Sequence, residues 1–272
     1  MEIIILIIAG FVGGILASLF GLGGGLVLVP ALVICLPFYH VDPSVVMHLS
    51  VGSSLLIMLL NSLAAIVYHH QAKNIDWLLF WQIFPFAVVG TIVGCVISIQ
   101  LPTHILILLF LTFLFVILIR FMVHLMYRKK YKVLEHSRPP MLNNVLSGVL
   151  SGFIGAGMGV GSSIVMVPFL KRYGFYIRHC AGISCCFNVL IALIAVFIYG
   201  LLQAKTEALP YYTTGFIFWP VIIWLVLGSI MGVPFGTWLG RRLSEKMTTS
   251  IYFSLLIIIF LVMLSKLLEF YY

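Results

Sequence analysis

The sequence predicts an all-α integral membrane protein made of two inverted repeats, each a broken, re-entrant helical hairpin followed by three transmembrane helices. Three observations predict it. Of the 272 residues, 63% are hydrophobic and 8% charged, with a mean hydropathy of +1.22, a balance unlike that of a water-facing globular surface. Two long apolar stretches are each interrupted by a run of glycines and then a proline. Both interrupted stretches, with the segments after them, keep the same order in the two halves of the chain.

The elements follow in order. The chain begins Met1-Glu2 and turns apolar at Ile3 with no Lys or Arg before it, so the charged start of a secretory signal is missing and the first segment is expected to be retained. That segment, Ile3 to Leu36, exceeds the about 20 residues a spanning helix needs. It holds Gly21-Leu22-Gly23-Gly24-Gly25 and then Pro30. Ser44 to Tyr68, Trp77 to Ile97 and Ile105 to His124 have spanning length. A basic linker, Arg128-Lys129-Lys130-Tyr131-Lys132 with Arg138, follows. The second half opens on Met141 to Leu170, interrupted from Gly155 through Gly157 and Gly159 to Gly161 and then at Pro168. It continues with spanning runs at Cys180 to Tyr199, Phe216 to Leu239 and Met247 to Phe270. The expected division is 1–127 for the first repeat, 128–140 for a cytoplasmic linker and 141–272 for the second repeat.

Glycine costs a helix interior about 1 kcal/mol relative to alanine, and proline removes a backbone hydrogen bond while crowding the preceding turn. Helical bonding is therefore expected to fail in both cassettes, leaving the carbonyls of Leu26 and Ile164 short of a partner. Lipid does not tolerate such groups, so the breaks are expected to face the protein interior.

Positive charge decides whether the broken segments cross the membrane. With full crossings, Lys171, Arg172, Arg178, Arg241, Arg242 and Lys246 would fall outside. With re-entrant hairpins, all of the fifteen basic residues except Lys205 and Lys266 lie on the cytoplasmic side. Each half then crosses three times, an odd number, so like halves insert in opposite senses. The letters support the duplication. Gly10-Phe11-Val12-Gly13-Gly14 with Gly21 to Pro30 aligns with Gly148-Val149-Leu150-Ser151-Gly152 with Gly159 to Pro168, at a constant offset of 138. Val51-Gly52-Ser53-Ser54 aligns with Ala181-Gly182-Ile183-Ser184, Gln71-Ala72-Lys73 with Gln203-Ala204-Lys205, and Gly90 to Gly94 with Gly228 to Gly232.

Paired helix breaks in inverted repeats bring half-helix N-termini, with their positive partial charge, to the middle of the membrane. Bare glycine amides at Gly21, Gly23, Gly24, Gly25, Gly157, Gly159 and Gly161 suit an oxyanion, and Ser162 and Ser163 add hydroxyls. Ser53, Ser54 and Asn61 from one neighbouring run, and Ser184 and Asn188 from its counterpart, complete the candidate substrate-binding set. Gly10/Gly14, Gly90/Gly94 and Gly148/Gly152 are read instead as close-packing positions. The seven acids all lie at or near segment ends, which disfavours a cation carrier built on a buried carboxylate. His48, aligned at offset 130 with Arg178, and the adjacent His179 are candidates for anion attraction or coupling, against the plainer reading of snorkelling interfacial residues.

Cys35, Cys95, Cys180, Cys185 and Cys186 show no metal or redox spacing and read as small core residues. No metal-ligand motif and no Walker loop occurs, so neither metal nor cofactor is expected. The net charge of +8 sits in short clusters between apolar runs, a topology signal rather than a nucleic-acid surface. Tyr39, Trp77, Trp81, Tyr211, Tyr212, Trp219 and Trp238 read as interfacial belts.

The paired cassettes, Gly21 to Pro30 and Gly159 to Pro168, each followed by a Gly52-Ser53-Ser54 or Gly182-Ile183-Ser184 helix, resemble the sulfite exporter TauE/SafE family over nearly the whole chain. The resemblance implies a multi-pass carrier of the bacterial cytoplasmic membrane for sulfite or organosulfonate-type anions, acting as a secondary transporter. This chain has Ser162-Ser163 where the family commonly has glycines, and Ile183 where it usually has Thr or Ser. The expected partners are a small anion and the bilayer, with a homodimer as the expected assembly. The alternatives are an anion channel of the same architecture and an intramembrane enzyme using Ser163 or Cys185 with His48 or His179.

Overall fold

The computed structural model describes residues 2–20, 24–127, 138–201, 209–243 and 245–271. Each apolar run predicted to span becomes one long helix. These are α3 (Val46–Gln71), α4 (Trp77–Gln100), α5 (Thr103–Tyr127), α8 (Ile177–Leu201), α9 (Trp219–Arg242) and α10 (Glu245–Tyr271). Among the described residues, the first five are long and apolar enough to cross a membrane. Each interrupted stretch becomes a pair of helices in contact: α1 (Glu2–Phe20) with α2 (Gly25–Cys35), and α6 (Met141–Gly157) with α7 (Ser163–Arg172). At 1.5 Å per residue, α2 and α7 extend only about 16 and 15 Å, half of a hydrocarbon core. Among the described residues the fold is all-α apart from one short hairpin. The linker at 128–137 lies outside the described residues.

Among the described residues, the helix breaks sit in the glycine runs and not at the prolines. Gly24 precedes α2 with φ 91°, and Gly159 and Gly161 have φ 70° and 81°, backbone that an L-residue adopts only at a cost. Pro30 and Pro168 lie inside α2 and α7, each at the sixth position. This corrects the expectation that the prolines end helices too. A proline so near a helix start removes one hydrogen bond, and a short helix held by its neighbours continues through it. The breaks face the interior, as expected: Gly24, Gly25, Gly157, Gly159, Val160 and Gly161 are buried, as is most of α2, whereas Pro168 of the second cassette is exposed.

Packing between the halves is reciprocal. The first-half α1 lies along α9, the second-half α6 along α4, and α3 packs on α8. Glycines make the first two contacts: a Cβ at Gly10 or Gly14 would overlap the main chain of Leu225 or Ser229, and one at Gly90 or Gly94 that of Val149 or Phe153. The same holds for Gly152 against Ala87, while a Cβ at Gly148 would press on Phe86 Cβ at 2.8 Å and on Ile83 at 3.0 Å. All six glycines read as packing positions are packing positions. All five cysteines are buried and free.

The predicted run starting at Phe216 begins later as a helix. Thr213–Thr214 (β1) and Ile217–Phe218 (β2) form an antiparallel hairpin that turns at Gly215, φ 58°. Pro220, at the start of α9, then favours helix. Phe216, Ile217 and Phe218 are all buried, so the hairpin folds onto the bundle. This explains the apolar reading of a segment that is not helical.

The contacts fix helix directions. Phe218 meets Ser53 and Ser229 meets Asn61, so α3 and α9 run the same way. Gly182 abuts Asn74 while Gly215 abuts Tyr199, so α8 runs opposite to both. Lys73, Arg138, Lys171, Arg172, Arg178 and Arg242 consequently lie at one end of the bundle. Lys266, paired with Glu269 at 2.6 Å, lies at the other.

Candidate functional site

The two cassettes meet inside the protein. Gly25, the first residue of α2, lies so close to Gly159 and Val160 that a side chain there would overlap the Gly159 carbonyl. The N-terminus of α2 therefore abuts the turn that leads from α6 into α7, just ahead of Ser163 where α7 begins. The α3 and α8 residues in contact with them, Met58 and Asn188, stand near the middle of their helices. The junction is at mid-depth, where fixed partial charges act in a low-dielectric setting.

Side chains from α3 and α8 line it. Ser54 Oγ lies 2.8 Å from Val51 O and 3.3 Å from Gly159 O. Asn61 Nδ2 donates to Ser229 Oγ at 2.8 Å and lies 3.7 Å from the Cβ position of Gly24. Asn188 Oδ1 accepts from the Ser162 amide at 2.7 Å and from its hydroxyl at 2.8 Å, while Asn188 Nδ2 donates to Ser163 Oγ at 3.3 Å. The Ser184 carbonyl also lies within reach of the Ser162 hydroxyl, at 3.0 Å. Ser184 Oγ itself is buried and has no hydrogen-bond partner. Such an orphan is uncommon in a protein interior. It stands one helical turn before Asn188, on the same face of α8.

Gly24, Gly25, Ser54, Asn61, Gly159, Gly161, Ser162, Ser163, Ser184 and Asn188 are thus brought to one place. Gly157 ends α6 beside them, its carbonyl accepting from Ser98 Oγ at 2.8 Å. Gly21 and Gly23 lie outside the described residues. Ser53 is diverted: its Oγ accepts the Phe218 amide at 3.1 Å. The candidate coupling residues stand at the bundle ends. His48 is buried, its ring 3.0 Å from Leu101 O and stacked on Phe216. Arg178 is exposed at the opposite end, and His179 packs beside Tyr176.

Met58 and Ser229 were not singled out in the sequence. Met58 Sδ is 2.7 Å from the Cβ position of Gly161, and at offset 130 it aligns with Asn188. Ser229 carried a signal, since it occupies the repeated Gly228 to Gly232 segment, opposite Thr91 of Gly90 to Gly94.

At each end of the bundle a loop of one half packs on a helix of the other. At one end the Gly215–Phe218 hairpin seats on Gly52 and Ser53, where a Cβ on Gly52 would overlap the Phe216 carbonyl. At the basic end Asn74 seats on Gly182, whose Cβ position is 2.7 Å from Asn74 O. Gly52 and Gly182 are equivalent at offset 130. The Gly-x-Ser motif is thus a seat for a loop on one helix face and a site residue on another.

Comparison with known proteins agrees with the architecture. The chain is 26% identical over 248 residues to a probable membrane transporter protein of Haemophilus influenzae, covering 91% of each chain. It is 29% identical over 252 residues to the probable membrane transporter protein MJ0441 of Methanocaldococcus jannaschii, covering 89% of this chain and 88% of the relative. Over 98 residues, 36% of each chain, it is 29% identical to the probable membrane transporter protein YunE of Bacillus subtilis. No solved structure matches. With a match that runs over residues 6–263, the chain belongs to the sulfite exporter TauE/SafE family.

Proposed function

We propose that this membrane transporter is a secondary carrier of small anions, in the first place sulfite and organosulfonates, working by alternating access about the mid-depth junction of α2 and α7. The observation that carries the reading is the contact of the α2 N-terminus, at Gly25, with the Gly159–Val160 turn that leads into α7, among hydroxyls and carboxamides. Converging helix N-termini attract negative charge, and neutral donors hold an anion without trapping it. The sulfur anion follows the family's name. The basic end, with Lys73, Lys171, Arg172 and Arg178, faces the cytoplasm of a bacterial cell under the positive-inside rule.

Alternating access needs a closure at each end. The seats at Gly52 and Gly182 supply two, and releasing one at a time would open the junction to one side. The same architecture with both seats released together would be a channel. Proteoliposomes with purified protein separate these readings: sulfite and small sulfonate uptake is measured with and without a proton gradient, beside a Gly24→Leu/Gly161→Leu variant. A carrier gives saturable uptake that the variant loses. Conductance without saturation favours the channel, and a folded protein that moves none of these anions overturns the sulfur-anion reading.

A further inference from the structure

The two helix N-termini at the junction are not equivalent. At α7, the carboxamide of Asn188 reaches across from α8 and takes the Ser162 amide and hydroxyl at 2.7 and 2.8 Å. At α2, the preceding residue is Gly24, which offers no side-chain cap, and the position equivalent to Asn188 is the thioether of Met58. The orientation of Asn188 is fixed by chemistry. A backbone amide can only donate, so Oδ1 and not Nδ2 faces Ser162. Oδ1 is therefore a neutral oxygen placed where an oxyanion's oxygen would bind, on a helix N-terminus and a serine hydroxyl. A second observation marks the place as a ligand position. Ser184 Oγ, on the same α8 face one turn away, is 0% exposed and has no partner. Asn188 alone leaves that hydroxyl unanswered.

Resting on the anion-carrier reading, we infer that Asn188 is the specificity-determining residue of the site: an oxyanion displaces its Oδ1 from the α7 N-terminus, and the carboxamide turns to offer Nδ2 to the anion beside Ser162 and Ser184. Discrimination follows from the exchange. A ligand must carry an oxygen that replaces Oδ1 on both Ser162 groups, so sulfite and sulfonates compete successfully and halides, which lack a second oxygen for Nδ2 and Ser184 Oγ, do so poorly.

Asn188→Asp tests this, because it keeps size and acceptor but cannot turn a donor toward an anion. Sulfite and methanesulfonate are titrated against purified protein, reading the ligand-induced rise in Tm and the KM for uptake. The expected result is a variant with a Tm at or above the parent's when no anion is added, no ligand-induced rise, and a KM raised about tenfold or more, as charge-assisted capping outcompetes the ligand. Unchanged affinity in the variant overturns the inference while leaving the carrier reading standing. No Tm rise and no uptake in the parent overturns both. If the variant does not fold, the parent is read directly, by the side-chain amide resonances of ¹⁵N-asparagine-labelled protein. An Asn188 signal that shifts with methanesulfonate and not with chloride supports the exchange, and a signal indifferent to both overturns it.

Discussion

Gly161 combines a φ of 81° with neighbours at 2.7 Å (Met58 Sδ) and 2.8 Å (Asn188 Oδ1) from its Cβ position, so conformation and space both exclude a side chain. Gly161→Ala is expected to destabilise by about 1–3 kcal/mol and to lower uptake by disturbing Asn188. Gly200→Ala, whose Cβ would meet only Ile217 Cδ1 at 3.6 Å, is expected to stay within about 0.5 kcal/mol; Tm in detergent compares the two. Glycine runs are legible in a sequence because consecutive glycines are costly in a helix unless backbone freedom is used. The roles of the polar residues were only partly legible. Ser54 and Asn188 reach the cassettes, whereas Ser53, one residue away, turns to the Phe218 amide. Neighbours on a helix point about 100° apart, and only the packing partner says which direction is the site. His48 shows the same limit: its ring is held by Leu101 and Phe216, away from the junction.

At the scale of elements, each spanning run became a helix within a few residues of the expected bounds, because length and hydropathy are what the bilayer constrains. The prolines were overread. α2 starts at Gly25 and α7 at Ser163, just past the glycine run, and they pass through Pro30 and Pro168, so Pro30→Ala is expected to leave the break in place and to retain uptake, whereas Gly25→Leu, forced against Gly159, abolishes it; proteoliposome flux measures both. The hairpin at 213–218 was missed for a physical reason. Phe216, Ile217 and Phe218 are buried by bundle helices rather than by lipid, and hydropathy does not distinguish the two. Ser98 holds the end of α6 through the Gly157 carbonyl, and Ser98→Ala is expected to cost about 1 kcal/mol, read as a lower Tm.

Across the whole molecule, the two halves interleave, with α1 on α9 and α6 on α4. In the proposed mechanism, closure at each end depends on a loop of one half seated on a helix of the other. A Ser53→Cys/Phe218→Cys pair placed at that seat is expected to stop uptake on oxidation and restore it on reduction, while Cys pairs in a fixed channel wall would leave flux unchanged. Sidedness has its own test. Cysteines introduced at exposed Tyr212 and at Lys73 should label with membrane-impermeant reagents from opposite faces of oriented vesicles, Tyr212 from outside. The sequence by itself determined the all-α membrane class, the long apolar helices, the two breaks and the family, since all follow from local hydropathy, backbone cost and order along the chain. Tertiary structure alone decided that the cassettes touch, that Asn188 caps α7 while Met58 faces Gly161, that Ser53 serves a loop, and that His48 and Arg178 stand at opposite ends. Those are distances between residues remote in sequence, set by how opposite halves pack, and no local pattern encodes them.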